Sequence, residues 1–451
     1  MITGREREQA LPGRNDQNRG NLQMRFIHAA DLHIDSPLRG LSRYEGAPVD
    51  RLRNATRRAL VRLVDLALDE QVNFVLLAGD LYDSDWSDFH TGLFFREQMV
   101  RLGRANIRVF IVQGNHDAQG VISRQLPLPE NVTVFSSKKS ETVRLDELAV
   151  AIHGRSFPDR EVPDDLVPLY PEPVHGLFNI GMLHTSLTGA AGHDTYAPTS
   201  PGVLMAKGYD YWALGHVHAR QVVSESTPRI VFPGNLQGRH ANETGPKGCE
   251  LVTVNAGRVE ASFIELDVVR WHQVTVPLDG VDDVAQVAGQ ARKALAAAIA
   301  GATTLLHAVR VNLIGQTHLY ELEAKQPGTL AAAVQAAAQD IGDCEVWIEQ
   351  VRLAISSPID RTQATEGQDA IAELIRLVDE LAADDAMLAD WSKQALGDVL
   401  ARLPAEVQAD AASDGLPRLD DPASLRSLLA DAEATLLARL NMERADGRGV
   451  R

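Results

Sequence analysis

The chain has 451 residues, carries 44 Lys+Arg against 61 Asp+Glu for a formal charge of −17, and is 45% hydrophobic. That length is enough for about two to four domains at roughly 150 residues each, and the charge excludes a generally cationic nucleic-acid coat, though not a local basic groove or a site whose metals supply positive charge. No apolar run approaches the roughly 18 to 20 residues that span a bilayer, and the two cysteines, Cys249 and Cys344, stand far apart, which excludes a disulfide framework and a thiolate metal site.

Residues 1–23 are polar and charged with no apolar h-region, so they read as a disordered tail rather than a signal peptide, and the chain as cytoplasmic. Structure is expected from RFIHAA (25–30), a short buried strand by composition. In 50–70 the residues Leu52, Ala55, Ala59, Leu63, Leu66 and Ala67 recur at helical spacing. NFVLLAG (73–79) is a second buried strand, a helix follows over about 88–103, and IRVFIVQ (107–113) is a third strand. Strands alternating with helices predict an α/β layout with a parallel sheet segment. Beyond about residue 130, short β-rich runs dominate (NVTVF, ETVRL, LAVAIHG, LFNIGMLHTS, YDYWALG, RIVFPG, CELVTVNAG, RVEASFIEL), predicting mixed or antiparallel sheet within the same domain, 24–266. Residues 267–356 alternate strand and helix as a small α+β domain. Residues 357–451 are acidic, with 19 acidic and 10 basic residues, and predict amphipathic helices at 366–395 and 423–443, split by the Pro/Asp/Gly-rich segment 404–422.

Each strong polar cluster follows a predicted strand: Asp31 and His33, then Asp80, then Asn115, His116 and Asp117, then His184, then His216 and His218. Ligand sites of open α/β sheets gather beyond the carboxyl ends of strands. Asp, Asn and His without Cys suit Mn, Fe or Zn in five- or six-coordinate geometry. The seven side chains Asp31, His33, Asp80, Asn115, His184, His216 and His218 are too many for one ion and fit two, if one carboxylate bridges. Two such ions would clamp a phosphoryl group and generate a hydroxide that attacks it. His116 is then left to protonate a leaving oxygen, with Asp83 to orient it. Singly, a DxH pair or a Gly-Asp is a common turn; the ordered set is the signal.

The set DxH, GD, GNHD, H, GHxH resembles the calcineurin-like metallophosphoesterase superfamily. The stretches HAADLHIDSPL, LLAGDLYDSD, VQGNHD, ALGHVH and PGNLQGRHANETGPKG make the chain similar to the SbcD/YhaO type of DNA repair exonuclease over roughly 24–355. The resemblance implies a four-layer α/β/β/α core with a small α+β cap domain and a C-terminal helical segment. It implies Asp31, His33, Asp80 and His218 around one ion and Asp80, Asn115, His184 and His216 around the other, with Asp80 bridging and His116 catalytic. It implies two divalent cations, Mn²⁺ first, with Fe, Zn or Mg as alternatives, in an exonuclease attacking DNA phosphodiesters by metal hydroxide. One position departs from the pattern: some nucleases of this group have histidine at the place of Asp83, and many phosphatases of the superfamily have aspartate there.

The loop 233–247 offers Arg239, His240 and Lys247 to a phosphodiester backbone, or is an ordinary surface hairpin. Asp35 and Asp117 orient ligands or cap turns. The remaining histidines, His153, His175, His193, His272, His307 and His318, read as structural, and Cys249 as core. Arg270, Arg292, Lys293 and Arg310 give the cap a modest case for backbone contact. The stripe Ile371, Leu374, Leu377, Val378 and Leu381 docks a partner helix or closes on its own segment. The resemblance implies DNA and an SMC-like coiled-coil ATPase as partners and homodimerisation as common; nothing implies a membrane. Two alternatives stand: a phosphatase or phosphodiesterase of small molecules or proteins, and a mainly structural subunit of an SMC-like ATPase complex.

Overall fold

A computed structural model of the chain describes residues 23–36, 46–83, 89–118, 127–187, 196–302, 305–342, 344–358, 370–402 and 421–445. The tail, the segment 404–422 and His193 fall outside them, except for Gln23, Asp421 and Pro422. The chain divides into two compact units, Met1–His272 with Ala302–Ala308, and Gln273–Gly301 with Val309–Arg451.

In chain order the first unit contains β1 (Gln23–Ala29), α1 (Val49–Arg53), α2 (Ala55–Asp69), β2 (Phe74–Ala78), α3 (Phe89–Arg104), β3 (Arg108–Val112), β4 (Val132–Val134), β5 (Glu141–Leu145), β6 (Val150–Gly154), β7 (Phe178–His184), α4 (Pro201–Ala206), β8 (Tyr211–Gly215), β9 (Gln221–Ser224), β10 (Arg229–Phe232), β11 (Gly248–Asn255) and β12 (Arg258–Glu265). They form two six-stranded sheets, ordered β12-β11-β1-β2-β3-β4 and β5-β6-β7-β8-β10-β9. The inner strands β1-β2-β3 and β6-β7-β8 are parallel, with Phe26 beside Phe74, Phe74 beside Arg108, and Ile180 beside Tyr211.

The layering follows from strand alternation. In β2, Phe74, Leu76 and Ala78 join Phe26, Phe110, Ile152, Ile180 and Val231 in a core between the sheets. Val75 and Leu77 turn the other way, against Ala59, Leu63 and Val64 of α2 and Phe95, Met99 and Leu102 of α3. On the outer face of the second sheet, Trp212, Leu214 and Phe232 pack with Leu204 of α4 and with Tyr170 and Tyr209. The result is the four-layer α/β/β/α arrangement. His28, fully buried, clips the sheets together: Nδ1 pairs with the Tyr211 hydroxyl at 3.0 Å and Nε2 with the Leu214 carbonyl at 3.1 Å.

Several sequence expectations need correction. The helix expected over 50–70 is broken at Asn54 into α1 and α2. Of the later β-runs, β5 to β10 build the second sheet. β4, β11 and β12 lie in the first sheet, where Met24 of β1 pairs with Val254 of β11. The short elements α4 and β9 have too few residues to show a period.

In the second unit, β13 (Val269–Pro277), β14 (Leu306–Gln316) and β15 (Glu345–Ser356) form a three-stranded sheet, the first two strands running across the division between the units. Helices α5 (Val284–Ile299), α6 (Leu319–Lys325) and α7 (Thr329–Gln339) cover it, with Val287, Leu295, Leu330 and Val334 in its core. Arg310 is held by Glu349 through two hydrogen bonds at 2.7 and 2.8 Å, so this cation is already neutralised, whereas Arg292 and Lys293 are exposed. Arg270 belongs to the first unit and is spent on Asp267 and Glu265.

The helix expected over 366–395 is two, α8 (Ala370–Ala383) and α9 (Asp385–Ala401), followed by α10 (Pro422–Ala445). The apolar stripe of α8 packs inside the segment: Val378 and Leu381 against Leu388, Leu425 and Leu429, and Ile371 with Ile375 against Leu437. Leu377 alone of the five stripe residues stands outside, 54% exposed. No described helix is long and apolar enough to cross a membrane.

Candidate metal centre

Parallel strands put the polar clusters at one edge of the first unit. Asp31 and His33 follow β1, Asp80 follows β2, Asn115 and His116 follow β3, His184 ends β7, and His216 and His218 follow β8. The backbone there is unusual. Asp31, His33, Asp80 and His216 all take positive φ, 51°, 42°, 50° and 101°. Non-glycine residues hold such angles when surrounding structure imposes them, as at functional sites. The glycines before the ligands have a steric role. A Cβ on Gly79, whose φ is +97°, would run into the His184 ring, and one on Gly114 would run into Asp80 Oδ1 and His184.

Among the described residues, two groups lie close enough to share a cation, Asp31–His33–His218 and Asp31–Asp80–His184, all but His218 buried. Asp31 is common to both, whereas the resemblance gives the shared role to Asp80. Asp80 Oδ2 nevertheless stands between His33 Nε2 at 3.8 Å and His184 Nε2 at 3.5 Å. Asn115 Oδ1 lies 3.0 Å from His184 Nε2. His216 packs its ring edge-on to His184 at 5.2 Å and donates its backbone N–H to both Asp31 oxygens.

The proton positions test whether these residues suit a cation. His33 Nδ1 lies 2.7 Å from Asp83 Oδ1, and His218 Nδ1 lies 2.7 Å from Glu243 Oε1. Ionised carboxylates only accept hydrogen bonds, so both Nδ1 atoms carry a proton, and in the neutral rings Nε2 is left with its lone pair. Those two Nε2 atoms face each other at 3.2 Å. Two lone pairs so aimed repel, and either a proton on one nitrogen or a cation shared by both relieves the repulsion. The donor set therefore fits a divalent cation at the first group, with each imidazole oriented by a carboxylate behind it. At the second group His184 Nδ1 meets the Ala78 carbonyl at 3.0 Å, which leaves Nε2 toward Asp80.

The electrostatics are those of crowded carboxylates. Burial pushes Asp31 up, against the pull of His218 and His184. Burial also opposes charge on Asp80, yet His184 and His33 outweigh it and hold this carboxyl far below its usual range. His184 itself, though burial works against its charge, is lifted to about 9 by Asp80 and Asp31. Asp117 is raised to about 7 by burial and by Asp80, while it accepts the N–H groups of Leu81, Tyr82 and Gly114 and so ties two motif loops together.

Of the other expected residues, Asp83, Arg239 and Lys247 are placed differently from the sequence reading, whereas His153, His272, His307 and Cys249 are structural as read. Asp83 gives its short contact to His33; His116 Nδ1 is 3.6 Å from it, buried and without a hydrogen-bond partner. Arg239, read as a substrate contact, turns inward to Glu243 Oε1 at 3.2 Å and toward Asp83 at 3.8 Å. Lys247 donates to the His218 carbonyl. His240 stays 57% exposed. Asp35 is engaged by Arg57 and Thr91. His153 is bonded to Thr142 and Asn179, and His272 to His307, and Cys249 is buried. A cleft of about 610 Å³ opens over the site, lined among others by Asp80, His116, Tyr196, His218 and His240. Tyr196 carried no motif in the sequence, and Glu243 lay unassigned within the stretch PGNLQGRHANETGPKG.

Residues 24–220 match the model of the family described as calcineurin-like phosphoesterase, and residues 271–356 that of metallophosphoesterase YhaO, middle domain. Residues 24–220 form a calcineurin-like metallophosphoesterase domain. The chain is 39% identical over 254 residues to an uncharacterized metallophosphoesterase YhaO of Bacillus subtilis, covering 56% of this chain and 62% of that protein. It is 23% identical to the DNA double-strand break repair protein Mre11 of Sulfurisphaera tokodaii, over 56% of this chain and 65% of that one. Both matches thus span under two thirds of the relative. A dimetal phosphatase from Danio rerio superposes at a TM-score of 0.33 with 13% identity, over 55% of this chain and 99% of that one. Phosphoesterases of this superfamily use a dinuclear divalent centre, and the candidate ligands here are of the matching type.

Proposed function

We propose that the chain is a two-metal phosphodiesterase acting on DNA ends, with Mn²⁺ as its working ion and DNA repair as its setting. One observation supports the metal half of the reading: the Nε2 atoms of His33 and His218 lie 3.2 Å apart beside Asp31, placed to share a cation. The DNA half rests on the kinship to proteins named for double-strand break repair and on a cleft large enough for a nucleotide unit.

On this reading Asp31, His33, Asp80 and His218 hold one ion and Asp80, Asn115, His184 and His216 the other. Bound cations supply Lewis-acid polarisation of the phosphoryl group and lower the pKa of water. The chain does the rest. The ligand backbones, strained into position, fix the donors before substrate arrives. His116, whose Nδ1 faces Asp83, delivers a proton from Nε2 to the leaving sugar oxygen. Asp83 favours a second reading, a phosphatase or diesterase of small molecules, since it stands where some nucleases of the group have histidine. An SMC-like coiled-coil partner would find its apolar contacts on Leu377, Met387, Trp391 and Val399, the exposed large side chains of α8 and α9.

The test is release of nucleotides from linear DNA in Mn²⁺, beside hydrolysis of a chromogenic diester. DNA hydrolysis that His116→Ala abolishes, with bound metal retained, is expected. Cleavage of the diester with DNA left intact would transfer the assignment to the second reading, and full DNA cleavage by His116→Ala would remove its role.

A further inference from the structure

We propose that Glu243 is a positioning residue for the metal centre: it holds the proton of His218 on Nδ1 against competition from Arg239, and so keeps Nε2 bare for the ion. The inference rests on the two-metal reading above, but not on DNA as substrate.

Glu243 lies beyond the residues that match the phosphoesterase family model and is itself buried, 8% exposed. Each of its oxygens is used. Oε1 accepts from His218 Nδ1 at 2.7 Å and from the Arg239 guanidinium at 3.2 Å. Oε2 accepts from the Arg239 backbone N–H at 2.7 Å and from Asn235 Nδ2 at 2.9 Å. Asn235, fully buried, spends the same amide on the Gln237 carbonyl as well. So many donors leave the carboxylate one orientation, and that orientation faces the imidazole.

The competitor is built into the same loop. Arg239 NH2 is 3.3 Å from His218 Nδ1, within reach of donating to it. A guanidinium only donates. With the carboxylate in place, Nδ1 carries a proton and Arg239 is confined to Glu243. With the carboxylate gone, the nearest polar partner of Nδ1 is a donor. The imidazole then answers with its lone pair, and its proton moves to Nε2, the atom that faces His33 across 3.2 Å. A protonated nitrogen cannot ligate a cation. Arg239 also reaches toward Asp83, 3.8 Å away, so one guanidinium lies between the two carboxylates that orient His33 and His218.

A purely structural Glu243 would close the 239–243 turn and no more. The two roles part in a double variant. Full-length protein stripped of metal is dialysed against Mn²⁺, and bound ion per chain is measured by elemental analysis, with the melting temperature of the stripped protein alongside. Wild type should bind two ions. E243A should lose about 10- to 100-fold in affinity at one of them, the usual effect of removing a group that orients a ligand. E243Q, which keeps an acceptor oxygen but no charge, should lose less. Adding R239M to E243A removes the competing donor and should recover part of the loss. E243A, or E243Q if the alanine variant aggregates, binding both ions with wild-type affinity would overturn the proposal. So would an R239M/E243A variant no better than E243A. Wild type binding no Mn²⁺ would overturn the two-metal reading itself, and this inference with it.

Discussion

The inter-sheet clip at His28 makes a quantitative prediction. His28 sits three residues before Asp31, and its acceptor Leu214 sits two before His216, so it fixes the two sheets just beneath the metal ligands. Burial lowers its pKa from 6.5 to about 3, the Leu214 carbonyl opposing only in part. A depressed histidine binds fewer protons folded than unfolded, so folding stability falls as the medium becomes more acid. The contribution is intact above 6.5 and is lost as pH drops toward about 3. At about 1.4 kcal/mol per pKa unit, lowering the pH to about 5 withdraws about 2 kcal/mol. His28→Gln keeps a donor for Leu214 and an acceptor for Tyr211 but does not titrate. It should cost on the order of 1 kcal/mol near neutrality and lack that acid-dependent loss. Urea unfolding of both proteins in chelator, at about pH 7.5 and about pH 5, isolates the term, because every other titrating group cancels in the difference. The gap between wild type and variant should shift by about 2 kcal/mol in favour of the variant. A gap that does not move with pH would refute a neutral, dry His28 and with it the account of how the sheets are joined.

Two further outcomes follow from the site. Asp83→Asn weakens the hold on His33 Nδ1 and should cost about 10- to 100-fold in metal affinity; unchanged Mn²⁺ binding in equilibrium dialysis would show that the 2.7 Å contact orients nothing. Gly114→Ala puts a methyl into Asp80 Oδ1 and the His184 ring. It should destabilise by about 1–3 kcal/mol and lower the bound metal together, and a variant with normal melting and normal metal content would refute the close approach.

The strand-end motifs were legible because several demands coincide on few residues. A ligand must follow a buried strand, and a glycine must precede it where a Cβ would occupy the ligand's own place, as at Gly79 and Gly114. The alternation of Phe74, Leu76 and Ala78 against Val75 and Leu77 was hidden, since a strand covered on both faces is apolar throughout. Nor does sequence disclose that β11 comes back beside β1, a pairing of Met24 with Val254 that depends on everything between. Glu243 was invisible for a related reason. It lies in the stretch PGNLQGRHANETGPKG, but its partner His218 is 25 residues away and nothing in the spacing marks that pairing. The stripe of α8 shows the converse: amphipathicity reports that a face is covered, not whether the cover belongs to the same chain.

Arg239 and Lys247 bear on how an acidic chain would approach a phosphate. Read as residues they look like anion contacts; in the fold Arg239 faces Glu243 and Asp83, and Lys247 is bonded to the His218 carbonyl. Their charge is consumed in holding the loop and the ligands, leaving His240 as the well-exposed member of that group. With a net charge of −17, the long-range field does not gather a polyanion either. On the proposed reading, then, the grip on a phosphodiester comes from the cations at Asp31, Asp80 and their histidines. The basic side chains act one step behind, Arg239 confined between Glu243 and Asp83 and Lys247 holding the backbone of His218.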